Sequence, residues 1–276
     1  NAYTGSLMTL NPTKILMKVA PAPEFQGTAN GVDILIGSTA YGSTSATTGS
    51  GNCIIGNNCF NNASNSSIRS LAIGNYALEH TTAGDQNCAI GFYSLNANTT
   101  GTGNLGIGAY SLLQNNLGSY NIGIGTASCA NVINGNSNIG IGGNVLSYGT
   151  GDPSGAVAIG NGSQQNIASG VSNNTSVGYQ ALNGNGGGYG TYFLGGSNNT
   201  AIGYNAGVSC SNTSANNTFL GANTDVQSIT STYTQSTCVG YGSQITGSNQ
   251  IVLGTSSDTV YHKGASNFNG NLNMNQ

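Results

Sequence analysis

The feature that most constrains this chain is a five-residue phrase that returns at a fixed, short interval. It reads Asn-Cys-Ala-Ile-Gly at residues 87–91 and returns with small changes at 104–108, 121–125 and 138–142. The closing glycines of these copies belong to an almost regular series that runs from Gly37 to Gly254. A period of about 17 to 19 residues is too short for a helix–turn–helix repeat or a propeller blade, but it fits one coil of a β-solenoid.

The repeat divides the chain into three regions. Residues 33–254 carry about thirteen coils of 17–19 residues, which predicts an all-β domain folded as a parallel β-solenoid. Residues 1–32 lack the repeat and contain Pro21 and Pro23, so we expect an N-terminal attachment segment or cap there. Residues 255–276 are expected to form an exit strand and a connector to a further C-terminal part.

One step of the repeat, from Gly178 to Gly203, is longer than all the others. The extra length predicts a loop from Gly184 to Gly196 that bulges from the solenoid. The aromatic residues of this loop are our candidates for contact with a partner, with packing on the next coil as the alternative: Tyr189, Tyr192 and Phe193.

Equivalent positions of successive repeats form a column. Because side chains alternate along a strand, neighbouring columns of a strand belong to opposite faces. The residue before each periodic glycine is always Ile, Val or Leu, so we predict a buried core column: Ile73, Ile90, Ile107, Ile124, Ile141 and Ile159. The residue before that is mostly small, and we predict that it faces outward as a stripe for contact between chains: Ala72, Ala89, Gly106, Gly123, Gly140 and Ala158. Because these small residues permit close approach, the stripe predicts association with identical chains.

Two further columns carry structural expectations. A phrase such as Tyr93-Ser94-Leu95 follows the glycine, and we predict a second strand there whose Leu points inward. An asparagine such as Asn104 begins most copies of the phrase, and either it forms a ladder that satisfies backbone groups or it reflects a turn preference alone.

Composition narrows the classes of function. Only 4% of the residues are charged, against about a quarter in ordinary domains, and the net charge is -3. We therefore expect no nucleic-acid partner, and no apolar run is long enough for insertion into a membrane. The six cysteines lack metal-ligand spacing and most occupy repeat columns, so we expect small buried thiols, with an interchain bridge as the alternative.

The sequence predicts no enzyme, no cofactor and no metal site. Its acidic residues are scattered over different coil positions, whereas glycoside hydrolysis usually needs two carboxyls that face one bond. Glu79, His80 and Asp85 lie within one coil and form the best candidate for a reactive cluster, with solvated turn residues as the more ordinary interpretation.

The phrase Asn-x-Ala-Ile-Gly, followed by Ala-Leu or Ser-Leu, resembles the head repeats of trimeric autotransporter adhesins and of phage and large-DNA-virus fibres. The match covers about residues 33–254. The resemblance implies a left-handed parallel β-roll, three associated chains, and a location on a virion surface or outside the cell. The coils are longer than those of the bacterial heads, which favours a viral or phage fibre.

We therefore expect a structural and adhesive rod of a trimeric fibre that attaches to a host receptor or glycan. A bacterial adhesin head is the alternative within the same class. A polysaccharide hydrolase is disfavoured by the scattered acids. An ice-binding solenoid is suggested by four threonines in the repeat, but these occupy a column that we expect to face inward: Thr175, Thr200, Thr218 and Thr237.

Overall fold

A computed structural model describes residues 34–36, 51–62, 66–149, 152–168, 170–184, 196–210, 213–228 and 230–261. Within these ranges the chain is all-β and contains no helix, and it forms the predicted parallel β-solenoid. One strand from each coil enters a single thirteen-stranded parallel sheet. Its strands, in order, are β1 (Ile34–Ile36), β2 (Cys53–Ile55), β3 (Leu71–Ile73), β4 (Cys88–Ile90), β5 (Leu105–Ile107), β6 (Ile122–Ile124), β7 (Ile139–Ile141), β9 (Val157–Ile159), β11 (Thr175–Val177), β12 (Thr200–Ile202), β13 (Thr218–Leu220), β15 (Thr237–Val239) and β17 (Ile251–Leu253).

Two short sheets lie in the later coils. β8 (Tyr148–Gly149) pairs with β10 (Asn166–Ile167), and β14 (Asp225–Val226) pairs with β16 (Gln244–Ile245). In the earlier coils that the structure describes, the predicted second strand is absent, because the segment after the glycine curls through left-handed residues: Tyr93 has φ 56° and Leu95 has φ 51°. Leu95 is nevertheless fully buried, so the prediction that this column points inward is confirmed.

The long step of the repeat spans a single coil. The longest step of the repeat separates Gly178, which follows β11, from Gly203, which follows β12. The two strands are nevertheless hydrogen-bonded neighbours, with Ser176 opposite Ala201. This pairing confirms an insertion within one coil. Most of the predicted loop, including Tyr189, Tyr192 and Phe193, lies outside the described residues, as do residues 1–33, 37–50 and 262–276.

The predicted directions of the strand columns are wrong. The small middle column points into the coil: Ala72, Ala89 and Ala158 are fully buried, and Gly106, Gly123 and Gly140 are buried as well. The predicted core column instead points outward and is partly exposed: Ile73, Ile90, Ile107, Ile124 and Ile159 are half-buried, and Ile141 is 37% exposed.

The narrow interior of the coil explains this reversal. A Cβ atom on Gly123 would lie 2.7 Å from Ser111 Oγ and 3.2 Å from Leu112 Cγ, which come from the facing turn. Ser111 Oγ also donates a hydrogen bond to the Gly123 carbonyl at 2.7 Å. Only a small strand residue fits across such a gap, so the bulky isoleucines are left on the outside.

The interior volume is shared between the strand and the facing turn. Several coils pair a small strand residue with a buried Leu, such as Leu182, on the turn. Phe219 reverses this arrangement: it is fully buried, and the turn position that faces it is Gly207, where a Cβ atom would lie 2.9 Å from Phe219 Cδ2. The large and small residues have exchanged places, which keeps the core close-packed.

The asparagine column forms a ladder of hydrogen bonds, as predicted. Asn121 is fully buried, and its Oδ1 accepts from the backbone N–H of Asn138 at 3.0 Å. Its Nδ2 donates to the carbonyl of Gly135 at 2.7 Å. Bonds of the same kind recur at Asn87, Asn104 and Asn199, so each side chain satisfies one backbone donor and one backbone carbonyl of the next coil. The ladder is therefore more than a turn preference.

The periodic glycines form the corner at which each strand ends. Gly74 has φ 125°, and a Cβ atom there would lie 2.6 Å from the carbonyl oxygen of Gly91 in the next coil. Any side chain would push adjacent coils apart, which accounts for glycine at this position.

Candidate functional site

The outer face of the thirteen-stranded sheet is the largest candidate surface for function. From β2 to β17 its two flanking columns point outward and contain no charged residue. The column before the corner glycine is apolar throughout, and several of its members toward the C-terminal end are exposed: Val177 is 37%, Ile202 42%, Leu220 44% and Leu253 51% exposed, with the half-buried Val239 between the last two. At a strand spacing of ~4.8 Å, the apolar strip is roughly 50 Å long.

The other outward column changes character along the rod. It is apolar at Leu105, Ile122 and Ile139. From β11 to β15 it consists of threonines, and its last member, in β17, is Ile251. The four threonines, Thr175, Thr200, Thr218 and Thr237, pair in register on adjacent strands and are half-buried. The expectation that they face inward is therefore wrong. The face has an apolar N-terminal half and a C-terminal half in which hydroxyl and aliphatic columns run side by side.

Stacked aromatic rings border this face just after the corner glycines. The rings of Tyr76 and Tyr93 stack with centroids 4.6 Å apart, and those of Tyr93 and Tyr110 with centroids 5.9 Å apart. Phe92 packs edge-on against all three tyrosines. Tyr93 was named above only as part of the phrase after the glycine, and no role was predicted for its ring, although tyrosine recurs two positions after the glycine in these coils.

A shallow groove lies on the return side of the coils, away from the main sheet. Its volume is about 450 Å³, and it is lined by His80, Asn96, Ala97, Thr99, Gln114, Asn116 and Ile133. Ala97 occupies the same column as His80 one coil before and Gln114 one coil after, so the missing side chain leaves a notch between them.

The structure does not assemble the candidate reactive cluster. Glu79 Oε2 lies 3.9 Å from His80 Nδ1 and accepts a hydrogen bond from Asn96 Nδ2 at 2.8 Å. Asp85 instead accepts from the backbone N–H of Ile68 at 2.8 Å, which anchors a turn of the preceding coil. Across the described ranges, no group of three or more His, Cys, Asp and Glu side chains is placed to hold a metal ion.

The cysteines divide into two environments. Cys59, Cys129, Cys210 and Cys238 are buried, and all six cysteines are free thiols. Burial raises the pKa of the Cys129 thiol to about 12 and that of Cys59 to about 11, so these groups stay protonated at neutral pH. Cys53 and Cys88 occupy an outward column of the sheet, where an interchain bridge stays a prediction.

Comparison of the chain with family models, with curated proteins and with solved structures finds no match. The resemblance to fibre and adhesin heads therefore remains a prediction. Among the residues that the structure describes, no helix is long and apolar enough to span a bilayer.

Proposed function

We propose that this chain is the rod of a homotrimeric surface fibre that attaches to a host receptor or glycan. The outward apolar column of the sheet carries this proposal. Monomeric soluble proteins rarely leave a contiguous apolar patch of more than a few hundred Å² uncovered. A strip that follows twelve strands and contains no charged residue is the kind of surface that a partner covers.

The energetics favour coverage of this face. Complete burial of an Ile or Leu side chain contributes about 1.5–3 kcal/mol. Leu220 is 44% exposed, so covering it would recover roughly 1 kcal/mol. Twelve such positions in each chain, stacked in register, would supply an association free energy on the order of 10 kcal/mol before the entropy of association is subtracted.

Other copies of the same chain are the partners that best match this strip. A coil-by-coil repeat presents the same spacing on every copy, so identical strips can interdigitate along the whole length of the rod. In a ring with cyclic symmetry, each chain can contact one neighbour through its sheet face and the other through its aromatic border. The ring then closes with no contact surface left uncovered. The number three, and the placement of the fibre on a virion or phage tail, come from the resemblance of the repeat.

Mass measurement by light scattering at low micromolar concentration tests the assembly. We expect three times the chain mass of 27.6 kDa for the unaltered protein. Ile124→Lys places a charge on the outward face and should lower the mass while preserving the circular dichroism spectrum. Thr100→Lys, at an exposed return-side position, is the matched control and should remain trimeric. A folded, stable monomer of the unaltered chain would refute the proposal.

Ice binding is a second candidate, favoured by the outward threonine column. The hydroxyls of Thr175, Thr200, Thr218 and Thr237 repeat at the strand spacing beside an exposed aliphatic column, on a sheet face without charge. A trimer would cover this face, so the two functions predict different behaviour. Thermal hysteresis from a monomeric sample would support ice binding, and its absence from a trimeric sample would support the rod.

A further inference from the structure

We propose that the return-side groove at Ala97 binds an uncharged carbohydrate. This inference rests on the proposed attachment function and gives it a site and a ligand class. The groove lies on the side of the coils opposite the apolar sheet, so the assembly of chains through the sheet would leave it open. Its volume of about 450 Å³ is within the range of small-molecule sites.

The floor of the groove is held rigidly by hydrogen bonds between coils. The backbone N–H of His80 donates to the Asn96 carbonyl at 3.1 Å, and that of Ala97 donates to the Leu113 carbonyl at 3.0 Å. The backbone N–H of Gln114 continues the series to Ala130 at 2.9 Å. The notch is therefore formed before any ligand arrives, which reduces the entropic cost of binding.

The dimensions of the notch follow from its position in the repeat. His80 and Gln114 lie two coils apart, or about 9–10 Å at the strand spacing, with only the methyl group of Ala97 between them. A single hexose ring fits such a gap. Ala97 and the exposed side chain of Ile133 offer an apolar surface for the C–H face of the ring.

The polar groups around the notch are in part unused. His80 Nδ1 lies 3.1 Å from the Asn96 carbonyl, which leaves Nε2 available to a ligand. Asn116 Oδ1 accepts from the Thr99 hydroxyl at 2.5 Å, which leaves its Nδ2 as a donor. The Gln114 amide makes no side-chain hydrogen bond to any described residue and supplies both a donor and an acceptor. Sugar hydroxyls, which donate and accept, match this mixed set.

The charges near the groove select against anionic ligands. Glu79 is hydrogen-bonded to Asn96, and Asp152 accepts from the backbone N–H of Ile133 at 2.6 Å. Both carboxylates adjoin residues that line the groove. The one Lys or Arg side chain within the described ranges, Arg69, is not among these lining residues. Sialylated, sulfated or phosphorylated glycans would therefore meet negative charge with no Lys or Arg to compensate it.

Saturation-transfer NMR on the full chain tests this inference with a panel of neutral hexoses, N-acetylhexosamines and their short oligomers. Sialylated and sulfated sugars and a lysine-rich peptide complete the panel. We expect transfer to at least one neutral sugar at millimolar concentration. Ala97→Gln fills the notch and should weaken that sugar's affinity by about tenfold or more. Ala83→Gln, the same change at an exposed alanine that does not line the groove, should leave the affinity unchanged.

The outcomes separate this inference from the proposed assembly, because the mass of each sample is measured alongside. If the protein is a trimer but binds no neutral sugar, the proposed carbohydrate site is wrong and the proposed trimeric rod stands. Binding confined to anionic sugars or to the basic peptide also overturns it, as does sugar binding that Ala97→Gln leaves unaltered.

Discussion

Replacing Asn121 by alanine should strongly destabilise the solenoid, because this side chain bridges adjacent turns of the backbone. Its Oδ1 accepts from the N–H of Asn138 at 3.0 Å, and its Nδ2 donates to the Gly135 carbonyl at 2.7 Å. Asn121 is fully buried, so water cannot replace either bond in the variant. A buried polar group left without a partner costs about 1–3 kcal/mol. Two such groups predict a loss of about 2–6 kcal/mol, a large part of the 5–15 kcal/mol typical of a domain.

The measurement is a chemical denaturation curve followed by circular dichroism, at the same chain concentration for each variant. Asn131→Ala in the same coil is the matched control, since Asn131 is half-buried and its side chain makes no hydrogen bond within the described part of the chain. We expect Asn131→Ala to change the free energy of unfolding by less than about 0.5 kcal/mol. If Asn121→Ala also stays within that limit, the ladder does not stabilise the fold and this reasoning is wrong.

Three further predictions concern the interior. Gly123→Val should lower stability by about 1–3 kcal/mol through overpacking against Ser111, seen as a lower thermal midpoint; an unchanged midpoint would contradict the narrow interior. Phe219→Ala should cost about 3–5 kcal/mol, and adding Gly207→Leu should recover part of that loss in a double-mutant cycle; strict additivity would contradict the exchange of volumes. Burial raises the pKa of Asp225 above its ordinary 3.8, so its contribution to stability is fully present below that value and is lost as pH rises through the raised pKa. Asp225→Asn should make the midpoint of unfolding depend less on pH between 3.8 and the raised pKa of Asp225. If the slope of the midpoint against pH is the same in the variant, another group causes the pH dependence.

Much of the architecture can be predicted from the sequence because each coil interacts mainly with its neighbours. The spacing of the corner glycines places every strand of the main sheet and its register, since the same column meets itself in the next coil. The recurrent asparagine predicts the ladder for the same reason: Asn104 and Asn121 occupy equivalent positions of successive repeats and become adjacent when the chain winds once. The period also identifies the long step from Gly178 to Gly203 as an insertion.

The direction of the strand side chains is decided only by the tertiary structure. Alternation separates Gly123 from Ile122 and Ile124, but it is symmetrical and does not say which side is the inside. The hydrophobicity of isoleucine favours the inside, and that expectation fails because Ser111 and Leu112 from the facing turn already occupy the space. The threonine column points outward for the same reason.

The groove also depends on the tertiary fold. His80, Ala97 and Gln114 share no motif in the sequence, and the notch exists because a small residue falls between two larger ones when successive coils are stacked. The sequence by itself determined the period, the corners and the ladder, because these depend on contacts between equivalent positions of neighbouring coils. The tertiary structure decided which side chains of each strand face outward and where the groove lies. The first depends on the space that the facing turn leaves inside the coil, and the second on residues of other columns, such as Thr99 and Ile133, that line the notch at Ala97.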